Sequence, residues 1–168
     1  DEVVSVALTD GQREIFLATR LGKIIRFPEA EVREVGRMAR GVRGMRVAPE
    51  DAVVGMEILT AAGAILAVTE NGYGKRTRQE EYRAQSRGGQ GILALRITER
   101  NGPVIGILQV AEEDEIMLIT DRGKIIRLPV ASIPLIGRLT QGVKLIDTES
   151  DERVVGVARL AEKEDNGD

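Results

Sequence analysis

The chain has no histidine, no cysteine and no tryptophan, and aromatic side chains make up only 2% of its 168 residues. The lack of cysteine excludes disulfides, thiol nucleophiles and thiolate metal sites. The lack of histidine removes the commonest general base and the commonest transition-metal ligand. No apolar run approaches the roughly 18 residues of a membrane-spanning helix, and the N-terminus has no signal-like pattern. The expectation is a soluble, untargeted chain of the cytoplasm. With so few aromatics, a core has to be made of Val, Ile, Leu, Ala and Met. Nineteen glycines and abundant β-branched residues then favour short strands joined by tight turns.

What is present is a repeat. Thr19-Arg20-Leu21-Gly22-Lys23-Ile24-Ile25-Arg26-Phe27-Pro28 returns as Thr120-Asp121-Arg122-Gly123-Lys124-Ile125-Ile126-Arg127-Leu128-Pro129. A degenerate copy lies between them, Thr69-Glu70-Asn71-Gly72-Tyr73-Gly74-Lys75-Arg76-Thr77-Arg78. The glycines at 22, 72 and 123 are 50 and 51 residues apart, and Gly41, Gly91 and Gly142 keep the same steps. A third set, Gly55, Gly106 and Gly156, stays in phase. Each unit reads as four strands. Runs 15–19, 65–69 and 116–120 end at a glycine turn, and the chain returns at once in a β-hairpin whose glycine takes the left-handed position. After a polar loop come runs 42–47, 92–97 and 143–146, then 53–58, 104–108 and 154–158. The glycine within each last run predicts a bulge or a close approach between units. The fold class is therefore all-β, a propeller-like array of three four-stranded blades of about 50 residues. The units span about 1–59, 60–109 and 110–160, followed by an acidic tail, 161–168, expected to be disordered.

The formal net charge of −3 conceals a segregation. Windows 20–46, 73–100 and 122–144, at equivalent places in the repeat, hold 8, 7 and 5 of the 24 Lys/Arg but only 3, 3 and 0 Asp/Glu. Basic segments in phase with a repeat fall along one edge of the array, which is the electrostatic footprint of a polyanion track. The acids, including Glu112–Glu115 and Glu149–Glu152, are expected on the opposite face. The loop Gln85-Ser86-Arg87-Gly88-Gly89-Gln90-Gly91 stands at the centre of the chain. Its three glycines allow close backbone approach, and its arginine offers a planar fork to phosphate.

The Thr-x-x-Gly-Lys-Ile-Ile-Arg hairpin, residues 71–77, Thr98-Glu99-Arg100-Asn101-Gly102 and Gly137-Arg138-Leu139-Thr140-Gln141-Gly142-Val143 resemble the C-terminal domain of DNA gyrase A over residues 1–160. The resemblance implies a β-pinwheel, in which blades exchange strands and double-stranded DNA wraps a basic rim. It further implies the last three blades of a six-blade domain. Loop 85–91 is similar to the family's Gln-Arg-Arg-Gly-Gly-Lys-Gly box, with Ser and Gln at two basic positions, and is expected to be a secondary, box-like loop. The implied partners are the rest of gyrase A and gyrase B. ATP and Mg belong to other parts of that complex, and no cofactor, metal or catalytic residue is expected in this chain.

On this reading the DNA contacts are Lys23, Arg26, Arg37, Arg40 and Arg43 in the first unit. Lys75, Arg76, Arg78, Arg83 and Arg87 serve in the second, and Lys124, Arg127, Arg138 and Lys144 in the third. Phosphate contacts position DNA without reading its sequence, so binding should be non-specific and should favour bendable DNA. Tyr73 and Tyr82 have no acidic metal cluster or partner base beside them, so packing or a hydroxyl–phosphate bond is expected of each. Met38, Met45, Met56 and Met117 are expected to fill core gaps. Two alternatives remain: a propeller-type scaffold for protein partners, and the equivalent domain of topoisomerase IV. Salt dependence separates DNA from a protein partner, since phosphate binding falls with a log–log slope near −0.9 per neutralised phosphate.

Overall fold

A computed structural model of the chain describes residues 2–60 and 63–160; the predicted acidic tail lies outside the described residues. The first unit contains β1 (Glu14–Thr19), β2 (Lys23–Pro28) and β3 (Val53–Leu59). The second contains β4 (Ala64–Thr69), β5 (Tyr73–Arg78), β6 (Ile92–Leu93) and β7 (Val104–Val110), and the third β8 (Glu115–Thr120), β9 (Ile125–Pro129), β10 (Val143–Lys144) and β11 (Val154–Arg159). Three-residue 3-10 turns follow β2, β5 and β9. The hairpin turns need φ > 0, and Gly22, Gly72 and Gly123 supply it at 83°, 81° and 77°.

The blades are not built from consecutive strands. The sheets run β3-β1-β2-β6, β10-β5-β4-β7 and β11-β8-β9. The second and third units therefore each lend a short strand to the blade before: Ile92 pairs with Ile24, and Val143 with Gly74. This is the strand exchange implied by the resemblance. It corrects the expected strands 42–47, 92–97 and 143–146. Only two residues pair in the second and third units and none in the first, because the chain needs a preceding blade to pair with and then dives between blades at Ala94, Leu95 and Ile146. The third sheet has three strands among the described residues, not four.

Packing follows the two-residue period of a strand. On β1, Phe16 and Ala18 point into the seam between the first two blades, where Ile65, Ala67, Tyr82 and Leu95 meet them. On β4, Leu66 and Val68 point the other way, against Ile116, Leu118, Ile133 and Ile146. The middle strand β4 is therefore buried along its whole length, whereas β8 alternates. Phe16 and Tyr82 meet edge-to-face at 5.0 Å, and each large side chain buried this way contributes about 1.5–3 kcal/mol. The glycine of each last strand marks a bulge, and Gly55 and Gly106 also allow a close approach to the next unit. The register skips Val54, Ile105 and Val155 beside Gly55, Gly106 and Gly156. A Cβ on Gly106 would stand 2.9 Å from a Val157 methyl of the next blade.

Of the methionines, Met45 is buried under Ile25 and Phe27, but Met38 is 97% exposed on the crossover of the first unit. The expectation of a core role fails there, because Met38 lies on the exposed stretch of that loop, residues 32–41.

Candidate nucleic-acid interface

Exposure and pairing sort the predicted contacts into three kinds. Arg26 and Arg76 stand at one step of the repeat, and both turn inward as clamps between blades. Arg26 donates to the Glu14 carboxylate at 2.5 Å and to the carbonyls of Gln79 and Tyr82 in the next unit at 3.0 and 3.2 Å. Arg76, with a side chain only 6% exposed, donates from Nε to the Ile133 carbonyl at 2.7 Å and pairs with Glu112. The guanidinium holds the Glu112 carboxyl below its usual range. Arg127, at the same step, pairs with Glu115. Lys75 is also interior: its Nζ donates to the Gly137 and Arg138 carbonyls at 2.7 and 2.5 Å. Burial pulls this ammonium down to about 8. As folded, Lys75 and Arg76 have no face to offer DNA, and Arg26 has little. Their basic charge anchors the crossover chain instead.

The second kind are latches. Loop 85–91 crosses the edge of the first blade, where Gln85 N donates to the Arg26 carbonyl. Gly88 and Gly91 take φ of 79° and 70°, and a Cβ on Gly91 would lie 2.4 Å from the Ile24 carbonyl oxygen. Arg87 N donates to the Glu31 carboxylate at 2.8 Å, and Arg87 Nη1 to the Arg43 carbonyl at 2.9 Å. One repeat later Arg138 N donates to Glu81 at 3.3 Å and Arg138 Nη1 to the Leu93 carbonyl at 2.6 Å. Two further bonds repeat, Arg46 N to the Gly89 carbonyl and Arg96 N to the Thr140 carbonyl. Successive crossover segments are thus zipped side by side into a belt. Within loop 85–91, Ser86 and Gln90 are exposed and Gly89 is half-buried.

Third are cations without a partner among the described residues, on this belt or at the ends of the strands β2 and β5. Arg37, Arg40, Arg43, Arg78 and Arg83 are exposed, and Lys23 is half-buried at the start of β2. Arg33, Arg46 and Arg96 belong with them, although the sequence reading does not single them out. A signal for them exists: Arg33 and Arg83, like Arg46 and Arg96, are 50 residues apart. Lys124 and Lys144 are exposed but paired, with Glu152 at 3.0 Å and Asp147 at 3.4 Å.

The acids are not gathered on an opposite face, which corrects that expectation. Glu112, Glu115, Glu149, Asp151 and Glu152 each pair with a Lys or Arg of the basic windows. Glu152 is buried, and bonds from the Thr120 hydroxyl, the Glu149 amide and the Lys124 ammonium hold its carboxyl down at about 2. Both tyrosines are buried. Burial pushes the Tyr82 phenol up to about 12, and the Tyr73 hydroxyl accepts from Arg100 Nε at 3.1 Å.

The family model described as "DNA gyrase C-terminal domain, beta-propeller" matches residues 13–60, 64–111 and 114–161. DNA gyrase A of Salmonella typhimurium is 50% identical over 99% of this chain, which spans 19% of that relative's length. Among solved structures, the C-terminal domain of DNA topoisomerase IV superposes with a TM-score of 0.88 at 31% identity, over 94% of this chain and 49% of that one. The DNA gyrase A C-terminal domain gives 0.84 at 25% identity, over 89% of this chain and 51% of that one. With three matched segments covering the three hairpin repeats, the chain belongs to the gyrase C-terminal, β-propeller family.

Proposed function

We propose that this chain binds double-stranded DNA without sequence preference and bends it along the crossover belt. It does so as the wrapping part of a DNA gyrase, an ATP-dependent type II topoisomerase. The observation that carries this reading is the belt itself: successive segments are hydrogen-bonded edge to edge and present exposed arginines that no carboxylate neutralises among the described residues. Phosphate recognition needs cations held in a fixed row rather than base-reading side chains. A row that turns with the blades makes bending the duplex the way to gain further contacts. Arg37, Arg40, Arg43, Arg78 and Arg83 supply direct phosphate contacts, with Arg33, Arg46 and Arg96 added from the structure. Arg87 and Arg138 keep their charge while tied to backbone carbonyls, and so contribute fixed positive potential.

The relatives named as DNA gyrase A support a parent complex in which this module fixes the DNA path while other parts cut, pass and reseal strands. The rest of gyrase A and gyrase B are its partners there, in the cytoplasm, and ATP and Mg act outside this chain. The likeness to the topoisomerase IV domain supports the same handling of DNA.

The test is energy transfer between dyes at the two ends of a short random-sequence duplex. Addition of the chain should raise transfer, equally for a second unrelated sequence. Binding with no change in transfer, or transfer with one sequence only, overturns the reading.

A further inference from the structure

Five steps of the repeat define the outer line of the belt, and their charge falls along the chain. The first unit places Arg33, Arg37, Arg40, Arg43 and Arg46 there. The second has Arg83, Arg87, Gln90, Leu93 and Arg96, and the third has Pro134, Arg138, Gln141, Lys144 and Asp147. The net charge of these five positions is thus five, then three, then one, although acids elsewhere on the crossovers, Glu29, Glu31 and Glu34 in the first and Glu80 and Glu81 in the second, offset part of the difference. The equivalence is structural as well as numerical. Arg46 N and Arg96 N make the same bond to the following loop, and Arg87 and Arg138 make the same bond to the preceding one. At the last step the sign itself reverses, with Asp147 in the place of Arg46 and Arg96.

Pairing deepens the fall. All five first-unit arginines of the line are exposed and unpartnered among the described residues. In the third unit Lys144 pairs with Asp147, Arg122 with Glu149 and Asp151, and Lys124 with Glu152. Arg127 likewise pairs with Glu115. An exposed ion pair is weak enough to open, but its carboxylate stays a few ångströms away and cancels the attraction for a phosphate. Fewer counterions are then released per contact.

We propose that the belt is a charge ramp, holding the DNA backbone hardest at the first unit's crossover and releasing it at the third. The ramp gives the track a direction: the duplex is anchored at one end and free to leave at the other. This rests on the DNA-wrapping reading above and adds to it the place of release.

The experiment is a salt titration of duplex binding by fluorescence anisotropy, on the chain and four variants. Asp147 is 95% exposed in its side chain, so its replacement leaves the fold intact. Asp147→Arg should tighten binding about fivefold at low salt and steepen the log–log slope by about 1 to 2, from one new contact plus the release of Lys144. Arg46→Asp should do the reverse. Arg43→Gln should flatten the slope by about 1, and Lys144→Gln by much less. If Asp147→Arg leaves the slope unchanged, or Arg43→Gln and Lys144→Gln flatten it equally, the belt is uniform and the ramp is wrong while DNA binding stands. If the unaltered chain shows no salt-dependent binding, the wrapping reading fails and the ramp with it.

Discussion

Arg26 and Arg76 show how one residue type at one step of a repeat comes to hold the fold rather than a ligand. Each guanidinium reaches carbonyls in the 3-10 turn of the next unit or just beyond it, and each pairs with a carboxylate. Arg76→Ala leaves the Ile133 carbonyl without its buried donor and opens a gap in the seam. It should cost about 2 kcal/mol of stability, read as a lower thermal midpoint, with DNA affinity of the folded protein unchanged. Glu152 offers a second test at this scale. Its folded value lies near 2 and its ordinary value near 4.5. The stability it gives is therefore fully present above about pH 4.5 and is lost as pH falls through 2. Replacing it by Gln should flatten the acid limb of stability across that window, as measured by denaturant melts at each pH.

The crossover segment is the element on which fold and site converge. Its seating depends on a glycine at 91 with φ of 70° directly above the Ile24 carbonyl oxygen. Gly91→Ala meets both a strained backbone and a close contact, and should destabilise the chain by about 2 kcal/mol. It should also raise amide exchange in residues 85–93 before the hairpins are affected. The hairpins were legible in sequence because alternating apolar residues and a turn glycine are local signals. The exchanged strands were not, since β6 and β10 pair over two residues only and with a different unit. The interior role of Lys75 was equally hidden. It stands where its repeat partners are Ile25 and Ile126, and only the folded chain brings the Gly137 and Arg138 carbonyls to its ammonium. Charge in phase with the repeat located the belt, while pairing decided which cations of the belt stay free.

At the scale of the whole molecule, two demands divide the basic residues. Seams between blades consume some, and the outer line of the belt retains the rest. On the proposed function, DNA is held by summed phosphate contacts, so affinity should be governed by the number of free cations and by salt, not by any single side chain. The most direct measurement is the salt slope of duplex binding for the chain, for Arg37→Gln/Arg40→Gln/Arg43→Gln, and for Arg26→Met. The triple variant should lose about 3 from the magnitude of the slope, near 0.9 for each contact removed. Arg26→Met should lower stability and leave the slope as it was. A slope flattened by Arg26→Met but untouched by the triple variant would contradict the account, because the clamps would then be the DNA contacts and the belt would not.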